Sequence, residues 1–343
     1  MTIEQRKSDH LDLCATDEVS FKERTTLLEC VRLVHQSLPD LAVDDIDLSV
    51  ELLGKKLRAP IVIAGMTGGT ERAAEVNRGL AAIAERRGYA FGLGSQRAMH
   101  RRPEAAWTYQ IRDVAPTALV LGNVGVVQAR SMEDGEVEAL VRAAGADALC
   151  VHMNPAMELI QPEGDRDFRG GTETLARLAK GLSVPVVAKE TGSGISRETA
   201  ARIVSTGVRV IDVSGAGGTS WVGVETLRAE GPRADLGKKL WDWGVPTAAS
   251  VVYAAESGAV TIATGGITSG IDIARAIALG ARAGGIARLA FQAFLENRAE
   301  AFFDAIELEL RAVMLLTGAR TVRDLSLSPR VVVGELKDWI SPR

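Results

Sequence analysis

The residues best suited to chemistry in this chain stand directly after short apolar runs. They are Gly65-Met66-Thr67-Gly68-Gly69, Gly94-Ser95-Gln96-Arg97, Gly122-Asn123, His152-Met153-Asn154, Lys189-Glu190, Asp212 and Ser214 followed by Gly215-Ala216-Gly217-Gly218-Thr219, and Gly265-Gly266. Glycine lets backbone N–H groups approach an anion, and Gly265-Gly266 precedes a helix expected from Ile271, whose N-terminus would add oriented N–H groups for a phosphate. The plain alternative there is a tight turn. Lys189 closes a run that should be buried, where an ammonium needs a partner. That partner is either a ligand oxygen or ring edge, or an ion pair with Asp212 or Glu190. His152 and Asn154 alternate and so share one face of a strand. Two basic groups are less regular. Arg6, Lys7 and His10 stand in a polar leader without an obvious helical period, and Arg97 is followed by His100, Arg101 and Arg102. Each alone reads as solvated surface; together they could neutralise a diphosphate through charge-assisted hydrogen bonds.

The apolar runs that carry these residues number eight: 61–64, 90–93, 118–121, 148–151, 186–188, 208–213, 260–263 and 284–287. Between them lie stretches with helical signals at 73–87, 133–144, 172–181, 197–206 and 271–279, several opening behind Ser or Thr or closing on Gly. Repeated β then α predicts a single-domain (β/α)8 TIM barrel, in which residues at the C-terminal strand ends share one site. The leader spans 1–59, the barrel about 60–290, and a helical extension about 291–343. Segment 215–243, Gly-rich and then charged, reads as a long active-site loop. An open doubly wound sheet would carry a GxGxxG turn after its first strand, and none follows residue 64.

Composition agrees. An apolar fraction of 46% with only 4% aromatics suits buried parallel strands. The net charge of −4 with dispersed basic residues argues against a nucleic-acid partner, so any anion must be held by a local cluster. Cys14, Cys30 and Cys150 have no metal-ligand spacing, which fits a reducing compartment. The charged N-terminus is no secretory signal, and Glu256-Ser257-Gly258 interrupts the longest apolar stretch, so cytoplasmic location without membrane contact is expected.

With these motifs in order, the chain resembles the type 2, FMN-dependent isopentenyl diphosphate isomerases over nearly its whole length. The resemblance rests on Arg6-Lys7 with His10, Met66 to Gly69, Gly94 to Arg97, Asn123, His152-x-Asn154, Pro162-Glu163-Gly164-Asp165, Lys189, Ser214 to Trp221, Asp242 to Thr247, and Gly265-Gly266. It implies that Gly65, Met66, Thr67, Ser95, Asn123, Lys189, Ser214 and Thr219 surround the FMN ring and ribityl chain. It implies that Gly265, Gly266, Thr268, Ala287 and Arg288 surround its phosphate. Arg6, Lys7, His10, Ser95, Gln96, Arg97, His152, Asn154 and position 157 would contact an isoprenoid diphosphate, and Glu158 would bind Mg2+. The implied reaction moves a double bond by adding one proton and removing another at reduced FMN, with NAD(P)H as reductant; a homo-oligomer is expected. Two positions depart from the family pattern. Met157 stands where the family has a Gln proposed to take part in proton transfer, and a thioether cannot relay a proton. Thr268 stands where an Arg usually lies near the FMN phosphate, a charge that Arg288 could restore.

Other barrel chemistries lose a required group. A flavin-dependent 2-hydroxy acid oxidase needs a histidine base late in the barrel, and the histidines are His10, His35, His100 and His152. An inosinate dehydrogenase-like barrel needs a cysteine after strand six, and the last is Cys150. The remaining alternative is a flavoprotein that binds isoprenoid diphosphates without isomerising them.

Overall fold

The computed structural model describes residues 3–341. Eight parallel strands close into a barrel: β1 (Ile61–Ile63), β2 (Ala90–Gly92), β3 (Leu119–Gly125), β4 (Ala148–Met153), β5 (Val186–Glu190), β6 (Val210–Asp212), β7 (Val260–Thr264) and β8 (Ala281–Ile286), with β8 paired to β1. All eight expected strands are present. Three run further than their apolar cores suggest, so that Asn123, His152 and Lys189 lie inside β3, β4 and β5, where the ladder continues into the barrel mouth. Asn154 does not: it follows β4 and precedes the helix Pro155–Ile160.

The intervening helices obey ordinary end rules. Glu71–Arg87 is capped by the Thr70 hydroxyl, which accepts from Ala73 N, and stops at Gly88 with φ 65°, a left-handed turn that glycine adopts without Cβ strain. Its buried face, including Val76, Leu80 and Ile83, packs on the strands. A two-stranded ribbon, Val50–Leu52 with Lys55–Leu57, lies at the N-terminal ends, where Lys55 donates to the carbonyls of Thr117 and Ala118 just before β3. After β8 come Arg288–Leu295, Ala299–Leu316, Val322–Leu327 and Gly334–Ile340, with Arg330–Val332 paired to Val31–Leu33. No helix among the described residues is long and apolar enough to cross a membrane.

Two expectations need correction. The leader contains a helix, Ile3–Cys14, which the sequence did not announce because few apolar residues, chiefly Leu11 and Cys14, pack inward from it. Segment 215–243 is mostly two packed helices, Trp221–Arg228 and Gly231–Leu240, and not a loop. Ser220 caps the first by accepting from Gly223 N, and Val222 and Val224 bury its inner face.

Candidate active site

One cavity opens at the C-terminal strand ends and gathers most of the expected residues. Its walls include Arg6, Lys7, His10, Gly65, Met66, Ser95, Arg97, Asn123, His152, Asn154, Met157, Glu158, Lys189, Ser214, Thr219, Gly265, Gly266, Thr268, Ala287 and Arg288. Two expected residues stand back from it. Thr67 is buried behind the wall, and its hydroxyl has no hydrogen-bond partner among the described residues. Gln96 is fully buried and spent on the scaffold: it donates to Leu140 O at 2.9 Å and accepts from Asn123 N at 2.9 Å. Adjacent residues after a strand point different ways, so Ser95 reaches the cavity and Gln96 does not. His100 and Arg101 are exposed, and Arg102 donates to Gly69 O.

The first end of the cavity is cationic. Helical spacing puts Arg6, Lys7, His10 and Cys14 on one inward face of Ile3–Cys14, opposite Arg97 from the short helix Arg97–Arg101. Burial, then the neighbouring Arg6 and Arg97, push the Lys7 ammonium down to about 7. Burial, with Lys7, Lys189 and Arg97 adding repulsion, pushes His152 down to about 3. His152 is therefore neutral near pH 7 and donates from Nδ1 to Asn123 Oδ1 at 2.7 Å, which leaves Nε2 as an acceptor. Such convergent positive charge, costly when buried, is what an anionic ligand would relieve.

Carboxylates at this end are few and committed. Glu225, fully buried and unremarked in the sequence, accepts from His10 Nε2 at 2.8 Å and from Arg228 at 2.5 Å. A carboxylate only accepts, so His10 carries its hydrogen on Nε2, and burial lowers its affinity for a second proton. Gln161 joins the two sides: oriented to satisfy both neighbours, its oxygen accepts from Arg6 at 2.9 Å and its nitrogen donates to Glu225 at 3.2 Å. Both residues had weak signals, a Gln one helical turn after Met157 and an acid three residues before Arg228 on a short helix. Glu158 accepts from Asn154 Nδ2 at 3.1 Å and from Asp165 N at 2.6 Å, and burial raises its carboxyl above the ordinary range. No group of three or more His, Cys, Asp or Glu able to hold a metal occurs among the described residues. Glu158 thus suits a cation that takes its remaining ligands from substrate oxygens and water, not an all-protein cage.

The other end is made of backbone. The turns after β6 and β7 touch so closely that a Cβ on Gly218 would lie 2.3 Å from Gly266 N, and one on Gly265 2.2 Å from Gly215 O. Gly265 and Gly266 have φ 103° and 67°, and no hydrogen bond among the described residues uses the N–H groups of Gly266 and Ile267. The expected phosphate seat at the following helix needs correction. Thr268 N and Oγ1 both donate to Asp272 Oδ2, Asp272 N donates to Ser269, and Gly270 N donates to Glu309, so carboxylates and a hydroxyl already cap Gly270–Ala278. Upstream amides and Arg288 remain for an anion; Arg288 holds Thr16 O at 3.1 Å and Asp17 at 3.3 Å.

Between the ends, Lys189 pairs with Asp212 at 2.7 Å, the second of the two partners the sequence allowed. The hydroxyls of the cavity residues Thr191 and Thr264 are buried without partners among the described residues. Orphaned polar atoms beside a glycine cradle fit a large polar cofactor with one phosphate, so the FMN implied by the sequence fits these residues.

A sequence model of the FMN-dependent dehydrogenase family matches residues 1–154 and 152–332. The chain is 43% identical over 345 residues to the isopentenyl-diphosphate delta-isomerase of Methanothermobacter thermautotrophicus, covering 99% of this chain and 97% of that one. It is 44% identical over 353 residues to the protein of the same name from Thermococcus onnurineus, covering 98% and 94%. Among solved structures, a mandelate oxidase bound to (S)-2-phenylpropionate superposes with a TM-score of 0.66 at 18% identity over 96% of this chain and 97% of that one, a likeness of fold.

Proposed function

Because the chain belongs to the FMN-dependent dehydrogenase family and, within it, to the type 2 isopentenyl-diphosphate delta-isomerases, we propose that it interconverts isopentenyl and dimethylallyl diphosphate with FMN and Mg2+. The observation that carries the reading is the polarity of one continuous cavity, with clustered cations at one end and a glycine cradle at the other. Arg6, Lys7 and Arg97 would bind the diphosphate, and Glu158 would share its Mg2+. Gly65, Met66, Asn123, Lys189, Ser214 and Thr219 would hold the FMN ring and ribityl chain, and Gly265, Gly266, Ala287 and Arg288 its phosphate. When reduced, the flavin supplies acid and base for carbon, which no ordinary side chain does easily; NAD(P)H serves only to reduce it. The chain's own part is to orient and enclose. Glu225 and Gln161 hold His10 and Arg6 in place, the helix Ile3–Cys14 lies over the diphosphate end, and Met66, Met157 and Trp221 give the alkene an apolar wall.

Met157 favours a second reading, a flavoprotein that binds the diphosphate without isomerising it. Its sulfur lies 3.6 Å from Asn154 Nδ2, a contact too weak to stand in for an amide. Gln161 keeps a polar group in the same wall, so turnover should survive, reduced. The test is conversion of isopentenyl diphosphate by parent and Met157→Gln with FMN, NADPH and Mg2+. Product from the parent and a faster variant are expected; no product from the parent, with a gain of about 10²-fold or more in the variant, would make the parent a binder.

A further inference from the structure

On β4, β5 and β6 three polar residues stand in register, His152 opposite Lys189 and Lys189 opposite Asp212. The Lys189 and Asp212 side chains are 9% and 4% exposed. Lys189 lines the cavity, whereas Asp212 lies behind it, and Asp212 Oδ1 has no partner among the described residues. An ammonium has three donors. Asp212 takes one of them and so fixes the direction of the other two. The burial of the pair is weak evidence for a role in stability, since buried ion pairs are often replaceable by apolar residues without loss.

We propose that Asp212 is a positioning residue for Lys189 that sets the net charge beside the bound flavin and hence how easily the flavin is reduced. The proposal rests on the FMN reading above. Reduction adds negative charge to the ring system; Lys189 favours it, and the carboxylate behind Lys189 opposes it. Neutralising the two residues one at a time must therefore act in opposite directions. A purely structural pair would respond alike to either change, by losing flavin.

The experiment is a redox titration of FMN-loaded parent, Asp212→Asn and Lys189→Met at pH 7, with circular dichroism to verify folding. At the parent's midpoint, the ratio of reduced to oxidised flavin should rise by about tenfold or more in Asp212→Asn and fall by a larger factor in Lys189→Met, which stands nearer, since one unit charge within about 10 Å shifts the ratio by more than tenfold at an effective dielectric constant of about 20. Asp212→Ser, smaller and also neutral, gives the same sign should the Asn variant not fold. A potential that Asp212→Asn leaves unchanged or lowers overturns the proposal alone. A parent that takes up no FMN overturns the functional reading and this proposal with it.

Discussion

The two ends of the cavity bring different materials to the task proposed for each, holding a phosphorylated group. At the end proposed for the diphosphate the donors are side chains, Arg6, Lys7 and Arg97, carried on helices added around the barrel mouth. Their charges repel one another, and burial pushes Lys7 into the neutral pH range. At the opposite end the donors are N–H groups of turns that meet backbone to backbone, as at Gly218 and Gly266. Backbone amides do not titrate, so this end should depend on shape where the other depends on charge.

A methyl group at the contact should have the largest effect. Gly218→Ala puts a Cβ 2.3 Å from Gly266 N, backbone that cannot swing aside. We expect stoichiometric FMN to be lost on purification and the fold to lose about 1 to 3 kcal/mol, as for an overpacked interior. Flavin release and thermal unfolding read both; full flavin content would mean that the cradle is not tight. Next in size is Arg288→Ala, which removes the principal cation of the backbone end and its hold on Thr16 O. A charge-assisted hydrogen bond is worth about 2 kcal/mol, so FMN affinity should fall about 30-fold. Fluorescence titration of the apo-protein reads it, and no change would leave the backbone alone responsible.

The charged end is tested by pH. Lys7, at about 7 in the folded protein, carries its proton below that pH and loses it above. Affinity for inorganic pyrophosphate should weaken about tenfold between about pH 7 and 8.5, following the protonated fraction. Lys7→Met should bind weakly and abolish the Lys7 component. Because Lys7 titrates below its ordinary value, the unfolded chain binds more protons across about pH 7 to 10.5, and this group makes the fold gain stability as pH rises there. Calorimetric titration across the range measures the affinity; a parent profile as flat as the variant's would remove the distinction between the ends.

The same difference governs what could be read from sequence. Buried parallel strands are apolar, so all eight were legible, as were the glycine turns after β6 and β7, though not that they meet backbone to backbone. The helix Ile3–Cys14 was not, because the face it turns inward carries Arg6, Lys7 and His10, the reverse of an amphipathic helix on a core. Glu225 escaped for a related reason: Arg228, one helical turn on, reads as an ordinary surface partner for it, and the partner that draws it into the site, His10, comes from the distant leader helix. Gln96 was misplaced because a strand's C-terminal end does not specify which of two adjacent residues turns toward the mouth.

Thr268 offers the smallest effect and the finest test of the comparison. The family resemblance implies an Arg at this position beside the FMN phosphate, and on that ground alone Thr268→Arg would tighten FMN or rescue Arg288→Ala. Thr268 instead gives both its amide and its hydroxyl to Asp272, at 3.1 and 2.8 Å. The Asp272 side chain is only 14% exposed, with Arg275 3.5 Å away. A guanidinium introduced there would meet that carboxylate first, since its planar fork matches carboxylate geometry. An ion pair of this kind is worth about 0 to 1 kcal/mol, so Thr268→Arg should change FMN affinity by less than about threefold and restore little of the Arg288→Ala loss. Asp272→Asn in addition should free the guanidinium and tighten binding by about tenfold, the size of a charge-assisted bond to phosphate. Fluorescence titration of the three variants decides it. Full rescue by Thr268→Arg alone would mean that charge governs the backbone end as well, and the contrast between the two ends would fail.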